Sequence, residues 1–287
     1  MSPPGVTCLT LRVLAIALLY APLALGQEPV FDSHVHLHDG EASLRAYQAD
    51  VAASKINLVG FGGMWFGGPH MALQGNPANV RANNDAHIAL AAKYPQMMPI
   101  ATVHPYDGQA ALTELSRVAA RGVKVLKLHP HTQKFDASDP RVLTLVKRAG
   151  ALGVIVLMDN ANILRGDSER LFNLAVNAPK TKFIFAHLGG TNFRFWNTLA
   201  LARTAAGFFA DNIYFDISAT VVLVAGSPIE PEFVWTLRNV GTDHVLLGSD
   251  YPQFTLGKTV AALNSLNLTA QEKSLILAGN ARKLFGK

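Results

Sequence analysis

Short apolar segments rich in β-branched residues alternate along this chain with longer stretches whose apolar positions recur every three or four residues. A period near two marks a strand and one near 3.6 a helix, so the alternation predicts repeated βα units around a parallel sheet. Strand candidates are 30–36, 56–62, 98–104, 123–129, 154–159, 182–187, 213–218 and 245–250. Amphipathic stretches between them, among them 110–121, 140–152, 168–177 and 230–240, end near Gly, Asn or Pro, residues that stop helices. A helix after each of eight strands predicts an α/β fold closed into one (β/α)8 TIM barrel over 27–287, with an open doubly wound sheet as the competing topology.

The 287 residues suit a single barrel, which fills about 250. With 49% of residues apolar and 16% charged, the chain can bury a large core and is not a disordered one. Arg12 precedes an apolar run over 13–25 that is broken by Pro22 and ends in Ala-Leu-Gly before Gln27. That order predicts a signal peptide over 1–26 and an exported, periplasmic or secreted protein. The run is shorter than the roughly 20 residues of a spanning helix, so no stable membrane span is expected after its removal. Cys8, the only cysteine, would leave with it, which excludes disulfides and thiol nucleophiles from the mature chain. The net charge of +5 is scattered without a basic stripe, which argues for a small-molecule substrate and against nucleic acid.

Polar residues collect where the predicted strands end: His34 and His36, His104, Lys127 and His129, Asp159, His187, Asp216 and Asp250. A barrel brings all these ends to one face, where barrel active sites lie. His34 and His36 point the same way on a strand and can hold one ion between them, although such pairs also occur at surfaces and in satisfied cores, and His38 continues the period. Asp250 in Leu-Leu-Gly-Ser-Asp-Tyr-Pro would be costly to bury unpaired, with a helix cap or turn as its competing role. His187 in Phe-Ala-His-Leu-Gly-Gly reads either as a core histidine or as a site residue approached through the two glycines. Together these imidazoles and carboxylates are what a divalent cation needs, with one position left for water. Arg194 reads as a carboxylate clamp or an exposed helix arginine, and Trp65 and Trp196 as pocket walls or packing. The Gly-rich loop 60–68 lacks the spacing of a phosphate cradle and reads as a wall or lid.

Five strings carry a family resemblance: Phe-Asp-Ser-His-Val-His, Gly-Val-Lys-Val-Leu-Lys-Leu-His-Pro, Phe-Ala-His-Leu-Gly-Gly, Leu-Leu-Gly-Ser-Asp-Tyr-Pro and Gly-Asn-Ala-Arg-Lys-Leu-Phe. Over about 30–286 the chain resembles the amidohydrolase superfamily, in its amidohydrolase-related (amidohydrolase 2) branch of hydrolases and decarboxylases. The resemblance implies that His34, His36 and Asp250 ligate a metal, with Asp250 also the general base, and that His187 acts beside it. It places Lys127 where some relatives carry a carboxylated lysine bridging two metals, with His129 next to it as a further metal or substrate contact. Asp159 stands where the family usually has a metal-binding histidine; it would still ligate the ion through oxygen, and it favours one divalent ion, zinc first and manganese also, over two. Hydrolysis of an ester, lactone or amide by a metal-activated water is the leading expectation. The alternatives are non-oxidative decarboxylation of an aromatic or enoic acid and a catalytically silent ligand-binding barrel.

Overall fold

Alternating side chains sort the strands into two buried layers. Leu126, Leu128, Val156, Met158, Phe183, Phe185, Ile213 and Phe215 pack outward with the apolar faces of the helices, while Val125, Ile155, Leu157, Ile184 and Leu246 form a smaller inner cluster. The period of two therefore sends Lys127 and Asp159 to the inner side, in line with Val125 and with Ile155 and Leu157. This is a barrel wall with a filled interior.

The computed structural model describes Met1 and residues 27–67 and 72–286. The expected signal peptide, with Cys8, and the last residue of loop 60–68 lie outside the described residues. Among those described, no helix is long and apolar enough to cross a membrane.

The strands are β1 (Val30–His36), β2 (Leu58–Met64), β3 (Met97–Thr102), β4 (Val125–Leu128), β5 (Ile155–Met158), β6 (Phe183–Phe185), β7 (Ile213–Asp216) and β8 (Val245–Leu246). They pair in parallel in chain order. The seam between β8 and β1 is bridged by Ser33 N–H to Leu247 O at 2.9 Å, Asp250 N–H to His34 O at 2.9 Å and His36 N–H to Tyr251 O at 2.8 Å. The barrel is thus nearly closed, and the open doubly wound alternative is set aside. At the opposite end Ala278, Ala281 and Phe285 join the inner cluster, with the Phe285 ring 5.5 Å from Phe31.

The expected helices occur at Gln109–Ala120, Pro140–Ala151, Asp167–Val176 and Glu230–Val240. Strand ends differ more. The second strand lies two residues later than 56–62, because Gly60, Gly62 and Gly63, which read as breakers, continue the ladder opposite Phe31, Met98 and Pro99. The sixth and eighth strands stop before their site residues, since His187 and Asp250 both take φ of 62°, a left-handed backbone that leaves the ladder. Both side chains are carried on strained turns just past the strands.

Candidate metal centre at the barrel mouth

His34 is buried, and its Nδ1 lies 3.0 Å from Asp216 Oδ2. His36 Nδ1 lies 2.6 Å from the carbonyl oxygen of Phe66. A carboxylate and a carbonyl only accept, so both rings carry their proton on Nδ1 and, when neutral, turn an Nε2 lone pair inward. The two Nε2 atoms are 3.1 Å apart, and Asp250 Oδ1 is 3.4 Å and 3.3 Å from them. Burial lowers the His34 pKa to about 4, with the Lys127 charge adding to the effect, so that ring is neutral at neutral pH. Burial opposes ionisation of Asp250, but His34 and His36 hold it well below the usual carboxylate range. Lone pairs and a carboxylate converging at this spacing fit a divalent cation, and these three residues form the compact donor group found among the described residues.

Across the site, Lys127 Nζ is 3.3 Å from His34 Nε2, and Lys127 is 1% exposed. His187 Nε2 lies 3.1 Å from Asp159 Oδ1, and its Nδ1 lies 3.1 Å from the Ser218 carbonyl oxygen. Acceptors at both ring nitrogens favour the doubly protonated form. Burial alone would lower this pKa, but Asp159, followed by Asp250 and Asp216, pushes it up to about 9. Asp159 Oδ1 is also 3.5 Å from His129 Nε2, whose own pKa burial lowers to about 4. Asp159, expected from the sequence as a ligand, is not in the compact donor group; its charge is engaged by His187 and His129 beside it.

Two expected substrate contacts lie elsewhere. Trp65 is buried with Phe66, Ala72 and Val80, and its Nε1 donates to Asn84 Oδ1 at 3.0 Å, outside the cavity. Arg194 is half exposed, donates through Nε to Glu232 and lines a separate groove. Trp196 is fully buried against Phe185 and Phe215, which makes it packing. Arg194 follows the non-helical turn at 187–190, and the Glu232 carboxylate on the helix Glu230–Val240 holds it.

Two buried carboxylates with no role assigned from the sequence organise the site. Asp216 accepts from His34 Nδ1, from Ser218 N–H at 3.0 Å, from the Ser218 hydroxyl and from His187 N–H at 3.2 Å. It ties β7 to two site histidines at once. Asp32 accepts from Ser249 N–H at 2.8 Å, Ser249 Oγ at 2.6 Å, Tyr47 OH at 3.0 Å and His34 N–H at 3.2 Å. Burial raises its pKa to about 6 against those donors. The sequence signal for both was a carboxylate within an apolar strand, which demands buried partners without naming them.

A cavity of about 920 Å³ opens over these groups. His34, His36, Lys127, His129, Asp159, His187 and Asp250 form its floor, and among the described residues no arginine lines it. Such an enclosed polar floor suits a small molecule.

A family model, Amidohydro_2, described as amidohydrolase, matches residues 31–287. No curated protein matches the chain. Among solved structures, an uncharacterized TIM-barrel protein from Bordetella bronchiseptica is 16% identical over 90% of this chain and 100% of its own, with a TM-score of 0.71. A 5-carboxyvanillate decarboxylase from Sphingomonas paucimobilis is 15% identical over 91% of this chain and 99% of its own, at 0.68. A 5-carboxyvanillate decarboxylase from Novosphingobium aromaticivorans, as a D314N mutant with bound manganese and 3-methoxy-4-hydroxy-5-nitrobenzoic acid, is 14% identical over 91% and 97%, at 0.67. At these identities the likeness is one of fold.

Proposed function

The chain belongs to the amidohydrolase family, and from that premise we propose that it is a metal-dependent, non-oxidative decarboxylase of a small aromatic or enoic carboxylic acid. His34, His36 and Asp250 would hold one divalent cation, manganese or zinc. When bound, the cation supplies a Lewis acid that binds the acid's oxygens and steadies the charge left by carbon–carbon cleavage. The decarboxylases of the same fold, one of them with manganese, support this chemistry over hydrolysis.

The observation that carries the reading is His187, held with both ring nitrogens against acceptors and its pKa pushed up to about 9. Loss of carbon dioxide breaks one carbon–carbon bond and leaves its electron pair on the substrate carbon. That carbon then needs one proton, and His187 on the cavity floor is the acid able to deliver it. Asp159, 3.1 Å from Nε2, holds the ring in its protonated form. Lys127, beside His34 at the floor, offsets the substrate carboxylate's charge.

Hydrolysis makes a different demand, a base for an attacking water, and Asp250 beside the two imidazoles could meet it. Product analysis separates the two reactions. Manganese-loaded protein in D2O, offered a panel of aromatic and enoic acids and of lactones and esters, is expected to release carbon dioxide and place one deuteron on the former carboxyl-bearing carbon. Turnover confined to the esters and lactones would overturn decarboxylation.

A further inference from the structure

Ile163, Leu164 and Leu223 are 81%, 57% and 61% exposed, and all three line the cavity described above. They come from two separate places in the chain, the segment after β5 and the short helix Thr220–Val224 after β7. Large apolar side chains left in water at that exposure cost hydrophobic free energy unless something covers them. The charged groups of the cavity, Lys127, Asp159 and Asp250, are buried at the floor. Nearer the mouth, His131 is already engaged by Asp167 at 2.9 Å, and Arg165 and Arg194 line a neighbouring groove that meets the cavity at Ile163.

The cavity is therefore graded, with charge at the bottom and hydrocarbon at the entrance. We propose that its substrate is an amphiphile, with one carboxylate at the floor and an apolar tail that runs out between Ile163, Leu164 and Leu223. The inference rests on the floor's being a metal and carboxylate site, and it adds what the other end of the substrate must be. A tail is a better match to this collar than another protein, since the apolar surface continues directly into the cavity that holds the chemistry.

The test uses saturated monocarboxylates, from butanoate to decanoate, as binding probes for the manganese-loaded protein, followed by titration calorimetry. Affinity should rise about two- to fourfold per methylene once the chain reaches the collar. In Ile163→Ser/Leu164→Ser/Leu223→Ser that slope should disappear, while butanoate binding stays within about twofold because exposed substitutions leave the fold intact. An equal slope in both proteins, or none in the wild type, would overturn the collar. So would a wild-type dimer in light scattering that the triple variant loses, because a second copy would then be the cover. Butanoate binding that is indifferent to manganese would instead overturn the reading of the floor, and the slope comparison would still decide the collar.

Discussion

Asp216 shows how one residue sets the chemistry of another. Its Oδ2 holds the Nδ1 proton of His34 at 3.0 Å, and that hydrogen bond is what leaves Nε2 free to bind a cation. Asp216→Asn can present a donor in place of the acceptor and so turn the ring to the wrong tautomer. Manganese affinity, measured by competition with a chelator, should fall about 10- to 100-fold in this variant. Unchanged affinity would mean that the ring is oriented by its packing alone. His187 gives a second test with a defined sign. Its pKa rises from 6.5 to about 9 on folding, so the folded state holds this proton more tightly than the unfolded chain does. The resulting stability is complete below pH 6.5 and is lost as pH rises through 9. Denaturant unfolding of the metal-free protein should show that decline, and Asp159→Asn, which removes the first partner, should flatten it; an equally steep decline in the variant would detach the shift from Asp159.

At the scale of elements, the closure of β8 on β1 is what brings Asp250 to the two histidines. A Cβ added at Gly248 would stand 2.8 Å from His34 Cβ and 3.2 Å from Ser218 Cβ, both in buried positions. Gly248→Ala should accordingly lower stability by about 1–3 kcal/mol, as overpacked cores do, and weaken metal binding by displacing His34. Wild-type stability together with wild-type metal affinity would show that the seam yields easily. The periodic apolar pattern made β1 and the helices such as Glu230–Val240 legible in the sequence, because burial of one face dictates it. The ends of β6 and β8 were not legible, since the left-handed backbone at His187 and Asp250 is imposed by tertiary contacts and not by local preference. The same limit applies to the site. His34, His36 and Asp250 could be read from strand ends in a barrel, whereas the pairing of Asp159 with His187 and of Arg194 with Glu232 depends on which neighbouring segments meet in the fold.

For the molecule as a whole, the barrel interior, the plug of Ala278, Ala281 and Phe285 at one end and the polar floor at the other form a single gradient. Apolar layers occupy the lower barrel, and charge is confined to the open face, where function can use it. Hydrophobic packing carries the fold; the buried histidines and carboxylates are tolerated because nearly every one has a partner. Such a rigid frame lets the donor group keep its spacing before any ligand arrives, so metal binding is expected to raise the melting temperature without altering secondary structure. That donor group is the centre of the proposed chemistry, and elemental analysis after manganese loading and desalting tests it most directly. Wild-type protein should retain about one ion per chain and His34→Ala/His36→Ala none, since a single carboxylate is a poor ligand set for a tightly held ion. Stoichiometric metal retained by a folded double variant, or none retained by the wild type, would contradict it.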